Sequence, residues 1–158
     1  MQRANSHLPK YVAVEPDPKY KDPMLTRFVN NIMYDGKKEL ALKLTYKAFD
    51  IIAEKTGEDP LEVWKQALSN VMPSVQVTSR RIGGATFQIP SEVRPERQVS
   101  LAMKWLVRYS RQRSGRDFAN KLASEIMAAY NGEGGSVKKK EDTHRMAEAN
   151  KAFSHFKF

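Results

Sequence analysis

Cysteine is absent from the 158 residues, which removes disulfides, thiolate zinc sites and a cysteine nucleophile together. Histidine is scarce: His7, His144 and His155 are scattered, so a metal would have to lean on carboxylates, and neither a metal site nor a cofactor is expected. Long apolar runs are missing as well. Ile126 to Tyr130 is typical of the longest and falls far short of the ~20 residues of a spanning helix. The first twenty residues lack the hydrophobic stretch of a secretory signal and carry Glu15 and Asp17, unlike an acid-poor transit peptide. The chain is therefore expected to stay in the cytoplasm where it is made.

Acids are the other shortage. Asp and Glu number 18 against 27 Lys and Arg, and the net charge is +9. Such a surface draws polyanions, which makes nucleic acid the leading partner class, with an anionic membrane surface behind it. The length suits one core. A single domain over 22–158 is expected, mainly α, with about six helices in a bundle-like arrangement and a protruding β-hairpin arm.

Residues 1–21 mix Pro9, Pro16 and Pro18 with Arg3, Lys10, Lys19 and Lys21 and show no helical or strand period, so they read as an extended basic arm. Asp22 and Pro23 then form an N-cap and first helical position, and Leu25, Phe28, Val29 and Ile32 follow at helical spacing, for a helix over about 23–34. Its other side carries Arg27, Asn31 and Tyr34, a row that can face RNA or water, with Lys37 and Lys38 just beyond. A second helix from Lys38 to Lys55 is apolar around most of its circumference, including Leu40, with a thin polar stripe of Lys43, Lys47, Asp50 and Glu54. Asp59 and Pro60 repeat the start signal for a third helix, whose core face is Leu61, Trp64, Leu68 and Val71.

Between Val75 and Val93 the texture turns β-branched and aromatic around Gly83 and Gly84, which predicts a hairpin with strands at about 75–81 and 86–92. Pairing across a two-residue turn puts Phe87 and Ile89 on one face and Val75 and Val77 on the other. Pro95 opens a fourth helix that runs to about Ser114, and Phe118, Leu122, Ile126 and Ala129 mark a fifth. Gly134 and Gly135 read as a flexible link to a last helix with Met146, Ala149 and Phe153 on one side, Phe156 extending that row.

The strongest chemical signal lies on the fourth helix. At about 100° per residue, Arg97, Lys104, Arg108 and Arg111 share an arc of roughly 60°, while Val99, Ala102, Leu106 and Tyr109 cluster opposite. Unscreened like charges at such spacing repel by a few tenths of a kcal/mol per pair, which a polyanion would relieve. Arg80 and Arg81 beside Gly83 and Gly84 give the hairpin tip cations and a backbone open to close approach by phosphate. Phe87 suits either stacking on an unpaired base or packing at the hairpin base. Asp142, His144 and Glu148 are the best candidates for acid/base chemistry, but His144 and Glu148 sit four apart as ordinary helix neighbours, and no enzyme is expected. A DNA-binding helical module and a protein scaffold remain as alternatives; a basic stripe joined to a projecting hairpin suits the irregular shape of folded RNA better.

The run Ser79-Arg80-Arg81-Ile82-Gly83-Gly84-Ala85-Thr86-Phe87-Gln88-Ile89-Pro90, followed by Glu92-Val93-Arg94-Pro95, resembles the hairpin signature of bacterial-type small-subunit ribosomal protein seven. The ending from Val137 through Lys138, Lys139, His144 and Met146 to Phe153 is similar to that family's, as are Lys55 to Leu61 and Ala102 to Val107. The resemblance implies a six-helix domain with a hairpin arm that binds the 3′ major domain of small-subunit rRNA, starts assembly of the head, and lies near exit-site tRNA, the mRNA path and ribosomal proteins nine and eleven. Some bacterial members also repress translation of their own operon mRNA. Together the readings nominate Arg3, Lys10, Arg27, Asn31, Lys37, Lys38, Arg80, Arg81, Gly83, Gly84, Arg94, Arg97, Lys104, Arg108, Arg111, Arg113, Lys138 and Lys139 as RNA contacts. The sparse charge before Lys10, and Thr78 and Gln98 where the family commonly has basic residues, imply fewer phosphate contacts than usual there.

Overall fold

The computed structural model describes residues 14–155; Arg3, Lys10 and Phe156 lie outside that range. Within it the chain is mainly helical, as expected, with six α-helices, one antiparallel hairpin and a closing 3-10 turn among the described residues. It divides into two compact units, 1–43 and 44–158.

In the first unit the chain turns at residues 18–20, inside the stretch 1–21 read as an extended arm. The carboxylate of Asp17 is buried and accepts the backbone N–H groups of Lys19, Tyr20 and Asp22 at 2.7–3.2 Å, so the chain closes into a knot around an acid. Helix α1, Pro23–Ile32, starts on the Asp22 cap and buries Leu25, Thr26, Phe28, Val29 and Ile32. It ends two residues earlier than expected because Met33 turns extended. The following bend puts Asp35 and Gly36 at positive φ before α2, Lys38–Thr56, begins.

Helix α2 continues into the second unit. Its stripe of Lys43, Lys47, Asp50 and Glu54 is exposed as expected, and Ala41, Ala48, Phe49 and Ile52 are buried. Leu40, assigned to the apolar circumference, is instead 52% exposed, although its neighbour Ala41 is buried. Phe49 tilts against Trp64 of α3, Pro60–Val71, at 6.2 Å between ring centroids. Strands β1, Val75–Ile82, and β2, Ala85–Glu92, pair so that Ile82 faces Ala85 across Gly83 and Gly84, both at positive φ. That is the turn whose twist suits a hairpin, and it lengthens each strand by one residue over expectation. Arg80 faces Phe87 and Thr78 faces Ile89, which puts Phe87 and Ile89 on the opposite face from Val75 and Val77, as the alternation required.

Helix α4, Pro95–Gln112, buries Ala102, Met103, Trp105, Leu106, Val107 and Ser110 and packs on α3, on α5, Phe118–Tyr130, and on α6, Gly135–Ala149. The glycine pair before α6 is no flexible link. Gly134 caps the helix and Gly135 is its first residue, where a Cβ would stand 2.6 Å from the Tyr109 ring; glycine is what lets the two helices approach. The expected apolar side of the last helix is also corrected. Met146 and Ala149 are exposed, the buried positions are Ser136, Val137 and Ala147, and Phe153 lies past the helix in the 3-10 turn Lys151–Phe153. Asn150 breaks the helix and aims Phe153 at the hairpin.

Candidate nucleic-acid interface

Helix α4 presents the basic stripe because its two sides have different fates. Its apolar arc is consumed by the core, so the opposite arc must face outward, and Arg97, Lys104 and Arg108 are exposed there, with Arg111 half-buried. The Arg111 guanidinium lies 5.9 Å from the centre of the Phe118 ring, which holds the end of the stripe in place. From Arg97 to Arg111 the stripe runs about 21 Å at 1.5 Å per residue. Helices α1, α3 and α5 begin on aspartates, Asp22, Asp59 and Asp117, whose carboxylates accept first-turn N–H groups. Helix α4 begins on Arg94, whose exposed side chain makes no cap. Arg94 and Arg97 thus add charge to the positive end of a helix dipole, although Glu96 shares that turn.

Two neighbours extend the stripe. Toward the hairpin, Arg97 donates from Nε and Nη2 to Gln76 Oε1, both at 3.3 Å, which ties α4 to β1. At the far end of that strand Arg80 and Arg81 are exposed, beside Gly83 and Gly84. On the other side, Lys139 of α6 sits 6.0 Å over the Trp105 ring, and Lys138 beside it is exposed. Gln98 donates to the Val93 carbonyl at 2.9 Å and closes the entry of the helix.

Other nominated residues stand differently. In the first unit Arg27, Lys37 and Lys38 are exposed, whereas Asn31 turns its amide back onto the Arg27 carbonyl at 2.9 Å. Arg113 donates from Nε to Glu125 Oε2 at 2.7 Å, so part of its guanidinium serves the fold. Glu125 is 1% exposed and also accepts Ser136 N–H and Oγ–H, each at 2.9 Å. Its carboxylate stands where a cap would, against the first amides of α6. The surrounding pocket, about 210 Å³ and lined by Tyr109, Gln112, Arg113, Glu125 and Gly135, therefore has its acid and its base paired with each other. Glu125 escaped the sequence reading, yet it left a signal: it falls three residues after Leu122 and four before Ala129, on the core stripe of α5.

The acid/base candidates are structural too. His144 accepts the Ser74 N–H at Nε2, 3.0 Å away, instead of pairing with Glu148, and burial followed by the nearby Lys140 lowers its pKa. Asp142 pairs with Arg145 at 3.1 Å. Phe87, open between two readings, packs on Phe153 with centroids 5.2 Å apart. Among the described residues no helix is long and apolar enough to cross a membrane.

Comparison with known proteins identifies the family. The family model for ribosomal protein S7p/S5e matches residues 3–151. Small ribosomal subunit protein uS7 of Thermoanaerobacter pseudethanolicus is 61% identical over 145 residues, covering 92% of this chain and 93% of the relative. The uS7 proteins of Cytophaga hutchinsonii, 57% identical over 150 residues, and Salinibacter ruber, 54% over 156, cover 95% and 98% of the chain and 97% and 99% of their own lengths. The chain belongs to the ribosomal protein S7p/S5e family, and these relatives are named as proteins of the small ribosomal subunit.

Proposed function

We propose that this chain binds the 3′ major domain of small-subunit rRNA directly and nucleates assembly of the subunit head in cytoplasmic ribosomes. The observation that carries the reading is the stripe Arg97, Lys104, Arg108 and Arg111 on the outer side of α4, backed by a buried apolar side and continued toward Arg80 and Arg81 through the Arg97–Gln76 bond. A rigid row of cations grips a phosphate backbone and fixes register; it does not by itself read bases. On this reading the chain lies beside exit-site tRNA, the mRNA path and ribosomal proteins nine and eleven, and Arg27, Lys37 and Lys38 of the first unit and Lys138 and Lys139 of α6 are the further cations available for RNA. Its own operon mRNA is a second RNA ligand expected of bacterial members.

Titrating the protein with the isolated 3′ major domain across a salt series tests the reading. Each neutralised phosphate contributes roughly 0.7 to 0.9 to the slope of log K against log salt, so a slope of several units is expected. A nearly flat salt dependence rejects it.

A further inference from the structure

We infer that His144 and Phe153 are positioning residues for the hairpin arm, holding it in the orientation in which it meets RNA. The inference rests on the RNA reading of the interface. A two-stranded hairpin is marginal alone, and its orientation has to be imposed by whatever it packs on. Here the imposing element is the last part of the chain. At the neck, Ser74 is the hinge between α3 and β1. Its carbonyl accepts Val93 N–H at 3.0 Å, closing the ladder, and its N–H is donated to His144 Nε2 at 3.0 Å, fastening the ladder to α6. Nearer the tip, Phe87 of β2 meets Phe153 of the 3-10 turn in a tilted ring contact, 5.2 Å between centroids with planes at 58°. The turn that presents Phe153 is closed by Phe153 N–H to Asn150 O at 2.9 Å and Ser154 N–H to Lys151 O at 3.1 Å.

The two grips act on opposite strands, one at the root of β1 and one on the flank of β2. Together with the exposed Arg97–Gln76 bond on β1, these two contacts hold the arm at separated points, and separated points fix its direction. Both lie outside the polar corner around Glu125, and Phe153 is only half-buried, so removing either grip leaves the buried helical core intact. The energy of such a clasp appears when the arm engages RNA, because an arm already held in place has less motion to lose on binding.

The test is a mutant cycle in RNA affinity against the 3′ major domain. Phe153→Ala and His144→Leu, each in the full chain, are expected to weaken binding roughly three- to tenfold, the entropy of one or two ordered side chains. Circular dichroism should remain native. Phe153→Tyr keeps a ring and His144→Gln keeps an acceptor for Ser74 N–H, so both should restore affinity. The same substitutions are then made in a protein whose hairpin is shortened by excising residues 79–88, which closes the ladder at Thr78 and Ile89 and removes Phe87. In that background Phe153→Ala is expected to change nothing. An equal loss in both backgrounds would show Phe153 touching RNA itself and overturn the inference. Unchanged affinity of Phe153→Ala and His144→Leu in the full chain, while shortening the hairpin weakens binding, overturns the inference alone. If shortening has no effect on affinity, the hairpin's part in the RNA reading falls with it.

Discussion

At the corner where α4, α5 and α6 meet, a buried carboxylate gathers three donors, and a glycine in the first turn of one helix lies against a tyrosine ring of another. Along the outer hairpin, Ser79, Arg80, Arg81 and residues 83–86 are all exposed. The corner is built on a buried carboxylate that the fold itself satisfies, and the hairpin on groups that stay hydrated until a partner replaces the water. On the proposed reading, stability and recognition are carried by different atoms of one chain. Helix α4 contains both regimes, one on each side.

Breaking the buried core or the corner should have the largest effect. Leu106→Ala removes a fully buried side chain from α4 and is expected to cost about 2 to 5 kcal/mol. Glu125→Ala leaves Ser136 N–H and the Arg113 guanidinium without their acceptor, and about 2 to 4 kcal/mol is expected because charged hydrogen bonds are lost in a buried place. Denaturant unfolding measures both. A Glu125→Ala protein as stable as wild type would show that the corner is not the stabilising region.

The opposite side of the same helix sharpens the comparison. Lys104→Glu with Arg108→Glu places acids where phosphates are expected, and affinity for rRNA should fall at least roughly tenfold, with the salt slope reduced by about two units. The melting temperature should stay close to wild type, since both side chains are exposed. A large drop in melting temperature with unchanged affinity would reverse the assignment of the two sides.

Helix α4 was legible because its cations and its apolar residues have the same period with opposite phase, and a period survives in sequence. The hairpin register was legible for a related reason: Gly83 and Gly84 fix the turn, and the turn fixes every pair. Residues that act at a distance left weaker traces. Nothing near His144 announces Ser74, 70 positions away, and the Phe87–Phe153 contact depends on Asn150 ending α6. Helix α6 misled in two ways. Its glycines suggested flexibility because the Tyr109 ring that requires one of them is 26 positions away in sequence, and its Met146 and Ala149 are apolar at helical spacing yet exposed. Hydrophobic period marks a core face only when another element is there to cover it.

Excising residues 79–88 tests the arm as a whole. The segment includes most of the exposed hairpin and, of the interactions described, costs the fold the Phe87–Phe153 contact and the Gln88–Ser79 side-chain bond at 2.8 Å. Cooperative unfolding should persist with a modest loss of stability. RNA affinity should fall without vanishing, because the α4 stripe remains, and cells carrying the truncated protein should show altered frameshifting if the arm reaches tRNA or mRNA. A truncated chain that fails to fold would put the hairpin on the same footing as the corner.

Acid should loosen the hairpin neck before it touches the helix caps, and this is the smallest effect expected. His144 accepts Ser74 N–H at Nε2, which requires that nitrogen to be unprotonated, and its pKa is lowered by burial and by Lys140. A lowered folded-state pKa means that the unfolded chain takes up the proton first. The contribution is thus fully present above the ordinary value of about 6.5 and is lost as the pH falls through the folded one. Asp117 is lowered as well, by the backbone N–H of Asn120 first, then by its side chain, and by Lys47; its contribution holds above about 3.8 and disappears only in stronger acid. The two windows are separate. Between pH 7 and 5 the stability change should trace to His144 and amount to no more than about 1 kcal/mol, the net worth of one such bond. His144→Gln, with an acceptor that does not titrate, should flatten the melting temperature across that window while leaving the steeper fall below pH 4. Unaltered acid sensitivity between pH 7 and 5 in the His144→Gln protein would mean that another group is responsible.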